Sequence, residues 1–241
     1  MSDMRDGGGS HGHPGGMHGR AWSREEAVAV LESPDRRATQ NPVALWDAVG
    51  LRPGETVVDV GAGTGFFALP AAERVGPEGR VYAVDLSAEL VALIEERARR
   101  RGLPAVRVVQ STPDRIPLPD RIADVVLLAN VLHDIPRSTL TEAVRLLRAD
   151  GRMVNVDWKK AETPGGPPVE VRLSPAEAVE RLRAAGLVVK RQWEIGPYHY
   201  ALLLHRAAPE AETGRVAPSS SVHDRAVRGP PLGHPGGEAP N

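Results

Sequence analysis

The 241-residue sequence contains no cysteine, and aromatic residues make up only 4% of it. Without cysteine, the chain forms no disulfide and offers neither a thiolate nucleophile nor cysteine ligands for zinc or iron–sulfur clusters. No run approaches the roughly 18 apolar residues that a membrane-spanning helix needs. The formal net charge of -1 argues against electrostatic binding of nucleic acid, although it leaves room for a local basic patch. We therefore expect neither a membrane span nor a nucleic-acid partner.

The two ends of the chain differ in composition from its middle. Residues 1–19 are rich in glycine and histidine, and residues 207–241 are rich in proline, glycine and serine. Such segments have little apolar surface to bury, so we predict disordered tails around one domain at residues 20–206. The histidines of the first tail can bind copper or nickel adventitiously, but we predict no functional metal site. The N-terminus lacks the apolar core of a signal peptide, which predicts a cytoplasmic protein.

The most informative stretch combines a strand, a glycine loop and the start of a helix. Val57, Val58 and Val60 are β-branched and suit a strand that is covered on both faces. Glycine then occurs at every second position, at Gly61, Gly63 and Gly65, where it lets a ligand lie against the main chain. A glycine loop between strand and helix predicts a nucleotide-type site at the carboxyl edge of a parallel sheet.

The spacing of the loop indicates which nucleotide it holds. The dinucleotide fingerprint needs a small residue at its sixth position, which Phe66 occupies here. The pattern is instead Asp-x-Gly-x-Gly-x-Gly, beginning at Asp59. It resembles motif I of the class I S-adenosylmethionine (SAM) methyltransferases. The resemblance implies SAM as the cofactor and a loop that contacts it through Asp59, Gly61, Ala62, Gly63, Thr64 and Gly65.

An acidic residue closes the next predicted strand. Asp85 follows the run from Arg80 to Val84, with Leu86 beside it, and a carboxylate at this strand end can accept hydrogen bonds from both ribose hydroxyls. The alternative is that Asp85 caps the next helix, although Ser87 is better placed for that role. We therefore assign Asp85 and Leu86 to the cofactor site.

Two further cofactor contacts follow from the resemblance. Residues 110–120 resemble the loop that lies beside the adenine in this family, and Thr112 stands where an aspartate often accepts from the adenine amino group. A threonine accepts without charge assistance, so the contact is weaker. Asn130 follows the fourth predicted strand and is expected to line the SAM pocket.

The pattern of elements predicts an α/β fold of the Rossmann-like class I methyltransferase type. Five parallel strands alternate with helices and are followed by an antiparallel hairpin around Gly196, which gives a mostly parallel seven-stranded sheet. One helix is expected from Pro136 to Gly151, before a fifth strand that begins at Met153. A capping box at Ser23 starts the N-terminal helices, which we regard as a candidate lid over the cofactor. The resemblance is greatest to the small ubiquinone/menaquinone-biosynthesis C-methyltransferases (type 11/25).

Candidate catalytic groups lie where the fourth and fifth strands end. His133 titrates in the range of a general base, and it is our catalytic candidate, with a purely structural role as the alternative. Asp134 is expected to cap the following helix. The other charged or titratable groups that we considered are interpreted as structural or solvated: Lys159, Lys160, His199, His205 and the arginines at positions 97, 99, 100 and 101.

The resemblance implies a SAM-dependent enzyme that methylates a small-molecule acceptor. One alternative is a SAM-binding protein without catalysis, because cofactor residues report binding only. The other is an NAD-dependent oxidoreductase, against which Phe66 argues. The sequence leaves the acceptor, the methylated atom and the oligomeric state open, since fold does not determine function.

Overall fold

The computed structural model describes residues 23–208. The predicted tails, residues 1–19 and all but the first two residues of 207–241, lie outside this described part. Within it, no helix combines the length and apolar character needed to cross a membrane.

Helices and strands alternate along most of the described chain. The helices are α1 (Arg24–Leu31), α2 (Pro34–Thr39), α3 (Pro42–Val49), α4 (Ala68–Val75), α5 (Ala88–Arg100), α6 (Arg137–Leu146) and α7 (Pro175–Ala184), with a 3-10 turn at Val169–Val171. The strands are β1 (Thr56–Val60), β2 (Arg80–Asp85), β3 (Val106–Gln110), β4 (Ala123–Ala129), β5 (Leu147–Trp158), β6 (Leu187–Ile195) and β7 (His199–Arg206).

The strands form one seven-stranded sheet in the order β3-β2-β1-β4-β5-β7-β6. β1 to β5 run parallel to one another, whereas β7 runs antiparallel to both of its neighbours, β5 and β6. The predicted Rossmann-like fold with its terminal hairpin is confirmed. The chain order reverses between β1 and β4, and this switch point opens a crevice at the carboxyl ends of the strands, where α/β proteins bind ligands.

Two apolar layers cover the sheet. Val57 faces a cluster that includes Trp46 of α3 and Leu69 of α4, whereas Val58 faces a cluster with Leu140 of α6 and Leu182 of α7. Because side chains alternate along a strand, Asp59 lies on the same face as Val57 and is only 2% exposed. A carboxyl group therefore ends up inside an apolar layer, directly before the glycine loop.

The boundary between α6 and β5 differs from the prediction. α6 ends at Leu146, and β5 begins at once with Leu147, which pairs with Ala123 of β4. A Cβ on Gly151 would lie 2.9 Å from the carbonyl oxygen of Ala123, so this glycine lets β5 pass close to β4. The prediction that this helix reaches Gly151 is wrong. The apolar spacing typical of a helix continues past the end of α6 into the buried start of β5.

The predicted capping box at the N-terminus is confirmed. The hydroxyl of Ser23 accepts from the amide of Glu26, and the Glu26 carboxylate accepts from the amide of Ser23. α1 begins there and α2 follows directly, with Ser33 capping its first turn. These two helices lead into α3 and lie close to the glycine loop.

Candidate functional site

The glycine loop adopts a backbone that side chains rarely permit. Gly61, Gly63 and Gly65 have φ values of 75°, 58° and 82°, in the left-handed region that favours glycine. The amides of Gly61 and Ala62 both donate to the carbonyl oxygen of Val84, at 2.8 and 2.9 Å. The loop is thereby tied to the end of β2, where the predicted ribose contact lies.

Asp85 fixes the loop from the end of β2. One carboxylate oxygen accepts from the amide of Gly63 at 2.8 Å, and the other accepts from the amide of Ser87 at 3.0 Å. Burial raises the pKa of Asp85, and the backbone hydrogen bonds act against that rise. The N-cap of α5 is Ser87, so Asp85 is not the cap, and its remaining lone pairs are able to accept from a ligand.

Asp59 and Arg36 carry opposite charges that interact beside the loop. Burial raises the pKa of Asp59 to about 7, while the charge of Arg36 lowers it and that of Asp85 raises it. One oxygen of Asp59, Oδ2, has no hydrogen-bond partner among the described residues. The Arg36 guanidinium stacks 4.3 Å from the Phe66 ring centroid, and burial lowers its pKa to about 10. Asp59 therefore has an unused acceptor atom at the place where the sequence predicts a cofactor.

The N-terminal helices lie against the glycine loop. A Cβ on Gly63 would approach the Leu31 side chain at 3.1 Å. Arg97 of α5 donates to the carbonyl oxygen of Thr64 at 2.9 Å and pairs with Glu32 at the end of α1. The prediction that Arg97 belongs to a solvated helix end is wrong, since its side chain is only 19% exposed.

The predicted adenine-side residues lie at the ends of β2 and β3. Leu86 is half-buried, and its carbonyl oxygen accepts from Gln110 at 3.3 Å. Thr112 is exposed, and its backbone forms a bridge with Arg115. Its hydroxyl is 3.5 Å from the Arg115 carbonyl oxygen, which leaves it open to a ligand at this edge.

Asn130 makes the turn that follows β4. Its φ of 58° is left-handed, and its amide donates to Val156 at 2.7 Å. Its side-chain amide pairs with Gln40, whose Oε1 accepts from Nδ2 at 3.0 Å. The turn also brings Val131 against Gly61, where a Cβ would lie 2.7 Å away. Asn130 thus links β4, β5 and the segment between α2 and α3.

His133 is held by a buried carboxylate. Its Nδ1 is 2.8 Å from Oδ1 of Asp157, which also accepts from the amide of Trp158 at 2.9 Å. Burial lowers the pKa of His133, but the hydrogen bond and charge of Asp157 outweigh burial, so the pKa is raised. This places a histidine with a fixed orientation at the carboxyl end of the sheet.

Asp134 does not occupy the N-cap position of α6. That position is Pro136, which forms no side-chain cap hydrogen bond, and a capping contact from Asp134 stays a prediction. The lysines after β5 are paired as surface groups: Lys159 with Glu194 at 2.9 Å, and Lys160 with Glu177 at 2.8 Å. These ion pairs give no indication that Lys159 or Lys160 takes part in catalysis.

Sequence reasoning missed four residues at this edge: Arg36, Gln40, Asp157 and Arg172. Asp157 carried a usable signal, because an acidic residue near the end of a buried strand resembles the pattern that identified Asp85. Arg36, Gln40 and Arg172 lie in segments whose local pattern reads as turn or loop, and only the tertiary structure brings them to the site.

Three comparisons with known proteins agree with this geometry. Residues 58–155 match the family model described as a methyltransferase domain. A solved SAM-dependent methyltransferase from Aquifex aeolicus is 33% identical, with a TM-score of 0.72, over 76% of this chain and 98% of that chain.

Curated relatives are similar over part of their length. The nocamycin O-methyltransferase of Saccharothrix syringae is 32% identical over 82% of this chain and 61% of the relative. A ubiquinone/menaquinone biosynthesis C-methyltransferase of Brucella abortus is 28% identical over 56% of this chain and 51% of the relative. The chain thus spans about half the length of these curated relatives. Together with the match to the Aquifex structure, which covers 98% of that chain, these similarities show that the chain belongs to the class I SAM-dependent methyltransferases.

Proposed function

We propose that this protein transfers a methyl group from SAM to a small-molecule acceptor. The observation that carries the proposal is the glycine loop at the switch point of the sheet, with Gly63 bound to Asp85 at 2.8 Å. That arrangement leaves backbone and carboxylate groups available at the edge where this family binds SAM.

The residues beside the loop fit the chemical groups of SAM. Asp85 retains acceptor capacity for the ribose hydroxyls. Arg36 offers a cation for the carboxylate of the methionine moiety. Asp59 offers an acceptor for its ammonium, and the charges of Arg36 and of the ammonium both favour the ionised form of Asp59. The unpaired Oδ2 of Asp59, in the part of the chain that the structure describes, is a buried acceptor that such an ammonium would satisfy. We assign Ala62, Thr64, Leu86, Thr112 and Asn130 to the same site as supporting contacts.

His133 is the proposed general base. SAM supplies an electrophilic methyl group on a sulfonium, so the protein has to orient the acceptor and remove its proton where one must leave. In neutral His133, the hydrogen bond from Nδ1–H to Asp157 leaves the Nε2 lone pair available. A positioned base of this kind contributes about 10²- to 10⁴-fold to a rate, and orientation contributes the larger part.

The alternatives make different predictions. A SAM-binding protein without catalysis retains the same glycine loop but transfers no label. An NAD-dependent oxidoreductase needs a small residue where Phe66 stands under Arg36.

The cytoplasmic location expected from the sequence remains a prediction. Cell fractionation with an antibody against the protein tests it.

A label-transfer experiment tests the proposal. The protein is incubated with methyl-labelled SAM and a cell extract that is separated by ultrafiltration into small molecules and macromolecules. We expect label in the small-molecule fraction, and a loss of about 100-fold or more in His133→Ala with unchanged SAM affinity. Label confined to macromolecules would exclude a small-molecule acceptor, and no transfer with intact SAM binding would favour the non-catalytic alternative.

A further inference from the structure

A second histidine lies buried at this edge with an unsatisfied ring nitrogen. His199 begins β7 and is 1% exposed, as is Gln40. The Nε2 of His199 forms a short contact with the side-chain nitrogen of Gln40. The Nδ1 of His199 is buried and has no hydrogen-bond partner within residues 23–208. The contacts of Gln40 determine whether Nδ1 of His199 carries the proton of the ring.

The orientation of the Gln40 amide is set by its other partners. Nε of Arg36 can only donate, and it lies 3.3 Å from Oε1 of Gln40. Oε1 therefore faces Arg36, and the amide nitrogen of Gln40 faces His199 as a donor. His199 Nε2 must accept that hydrogen bond, so in the neutral ring the proton is on Nδ1. The unpartnered atom is thus an N–H donor inside the protein.

The surroundings of His199 are positively charged. Burial lowers its pKa to about 3, and Arg36, Arg172 and Lys159 lower it further by their charges. The imidazole therefore stays neutral at physiological pH and keeps a single N–H donor. A donor in a positive field is suited to a negatively charged oxygen, because hydrogen bonds to ionised acceptors are the stronger ones.

One wall of this region is rigid and aromatic. The ring centroid of Trp158 lies 4.1 Å from that of His199, at an interplanar angle of 50°. The Arg172 guanidinium lies 5.1 Å from the Trp158 ring and donates to the carbonyl oxygens of Lys159, Ala161, Gly165 and Pro167. These bonds hold the loop after β5 around Trp158, so the ring is fixed in place beside the unused N–H.

We propose that His199 and Trp158 form a subsite that binds an anionic oxygen of the methyl acceptor, either a carboxylate or a phenolate on a flat ring. The inference rests on the proposed function and specifies its substrate class. The anion accepts from Nδ1–H of His199 while its ring packs against Trp158. Gln40 contacts His199, and both residues are only 1% exposed. Access to Nδ1 therefore requires the segment after α2 to move.

Binding of simple probes tests the subsite without knowledge of the acceptor. The full-length protein is saturated with S-adenosylhomocysteine and titrated by calorimetry with benzoate, 4-nitrophenolate and uncharged benzamide. We expect at least one of the two anions to bind about tenfold or more tightly than benzamide. His199→Phe keeps a ring against Trp158 but removes the donor, and it should lose about tenfold in affinity for that anion. His205→Phe, at the other end of β7, is the control and should bind like the wild type.

The outcomes separate the subsite from the cofactor site. Equal binding of benzamide and the anions, no anion binding, or an unchanged anion affinity in His199→Phe would overturn the subsite. A loss of S-adenosylhomocysteine affinity in His199→Phe would also overturn the subsite, because the Nδ1–H of His199 would then contact the cofactor and not the acceptor. Failure of the wild type to bind S-adenosylhomocysteine would instead contradict the proposed function.

Discussion

Asp157 determines both the orientation and the basicity of His133. Its Oδ1 is 2.8 Å from Nδ1. Burial lowers the pKa of His133, but first the hydrogen bond and then the charge of Asp157 oppose burial, so that the pKa is raised. If His133 is the base, the rate rises with pH as the ring loses its proton, with a midpoint above the ordinary value of a histidine. The Asp157 carboxylate is therefore expected to set the pH at the midpoint of the pH–rate curve.

Asp157→Asn should shift this pH–rate midpoint downward. Burial lowers the pKa of His133, and without the Asp157 carboxylate only the weaker charge of Asp134 opposes that effect. The rate at the plateau should fall by about 10²-fold, since the base is weaker and its tautomer is no longer fixed. The measurement is kcat as a function of pH, with exposed Asp150→Asn as the control. An unchanged midpoint in Asp157→Asn would show that His133 does not limit the reaction.

Residues of a contiguous motif were predictable, and residues joined by the fold were not. Asp59, the glycines and Asp85 lie within 27 residues of sequence, and their spacing carries a physical meaning on its own. Gln40 and His199 are 159 positions apart, so no local pattern connects them. A histidine between Tyr198 and Tyr200 in a predicted strand favours a structural role. That pattern does not indicate that Nδ1 of His199 has no hydrogen-bond partner within residues 23–208.

At the scale of elements, the loop after β5 depends on one glycine. Gly166 has a φ of 97°, and a Cβ there would lie 2.8 Å from the Trp158 ring. Gly166→Ala should therefore displace either the loop or the ring and destabilise the fold by about 1–3 kcal/mol. Denaturant unfolding measures this loss.

Gly165→Ala is the matched control for that substitution. A Cβ at Gly165 meets no atom within 4 Å in the part of the chain that the structure describes. We expect its free energy of unfolding to stay within about 0.5 kcal/mol of the wild type. Equal effects of the two substitutions would mean that the loop is not held against Trp158.

The N-terminal helices depend on Arg97 for their position over the glycine loop. Arg97→Met keeps the apolar stem but removes the bonds to Glu32 and to the Thr64 carbonyl oxygen. We expect faster proteolysis within residues 23–40 and about tenfold faster SAM dissociation in stopped flow. Arg99→Met, on the exposed side of α5, is the control and should release SAM at the wild-type rate. Equal SAM dissociation rates in Arg97→Met and Arg99→Met would contradict a lid role for the N-terminal helices.

Element types were more predictable than element ends. β4 is an almost continuous apolar run, and β1 is rich in valine. The capping boxes at Ser23 and Ser174 mark helix starts in the sequence itself. The end of α6 was misplaced because Leu140, Ala143, Val144 and Leu147 fit one helical face, although Leu147 belongs to β5. Pairing with Ala123 decides that boundary, and such pairing cannot be read from local spacing.

At the scale of the whole molecule, the domain should fold and bind without its predicted tails. A chain lacking residues 1–19 and 209–241 retains every residue of the proposed site. Its melting temperature should stay within about 2 °C of the full chain, and its SAM affinity should be unchanged. A large loss of either would show that a tail contributes to the domain or to its ligand site, and would contradict the predicted domain organisation.

The fold places all proposed groups at one edge of the sheet, and cofactor binding at that edge is the central claim. The most direct measurement is calorimetric titration with SAM and with NADH of the wild type, Asp85→Ala and the exposed loop control Asp114→Ala. We predict SAM binding by the wild type and the control, a loss of about 100-fold in Asp85→Ala, and no heat with NADH. Absence of SAM binding in the wild type, or equal SAM affinity in Asp85→Ala, would contradict the account.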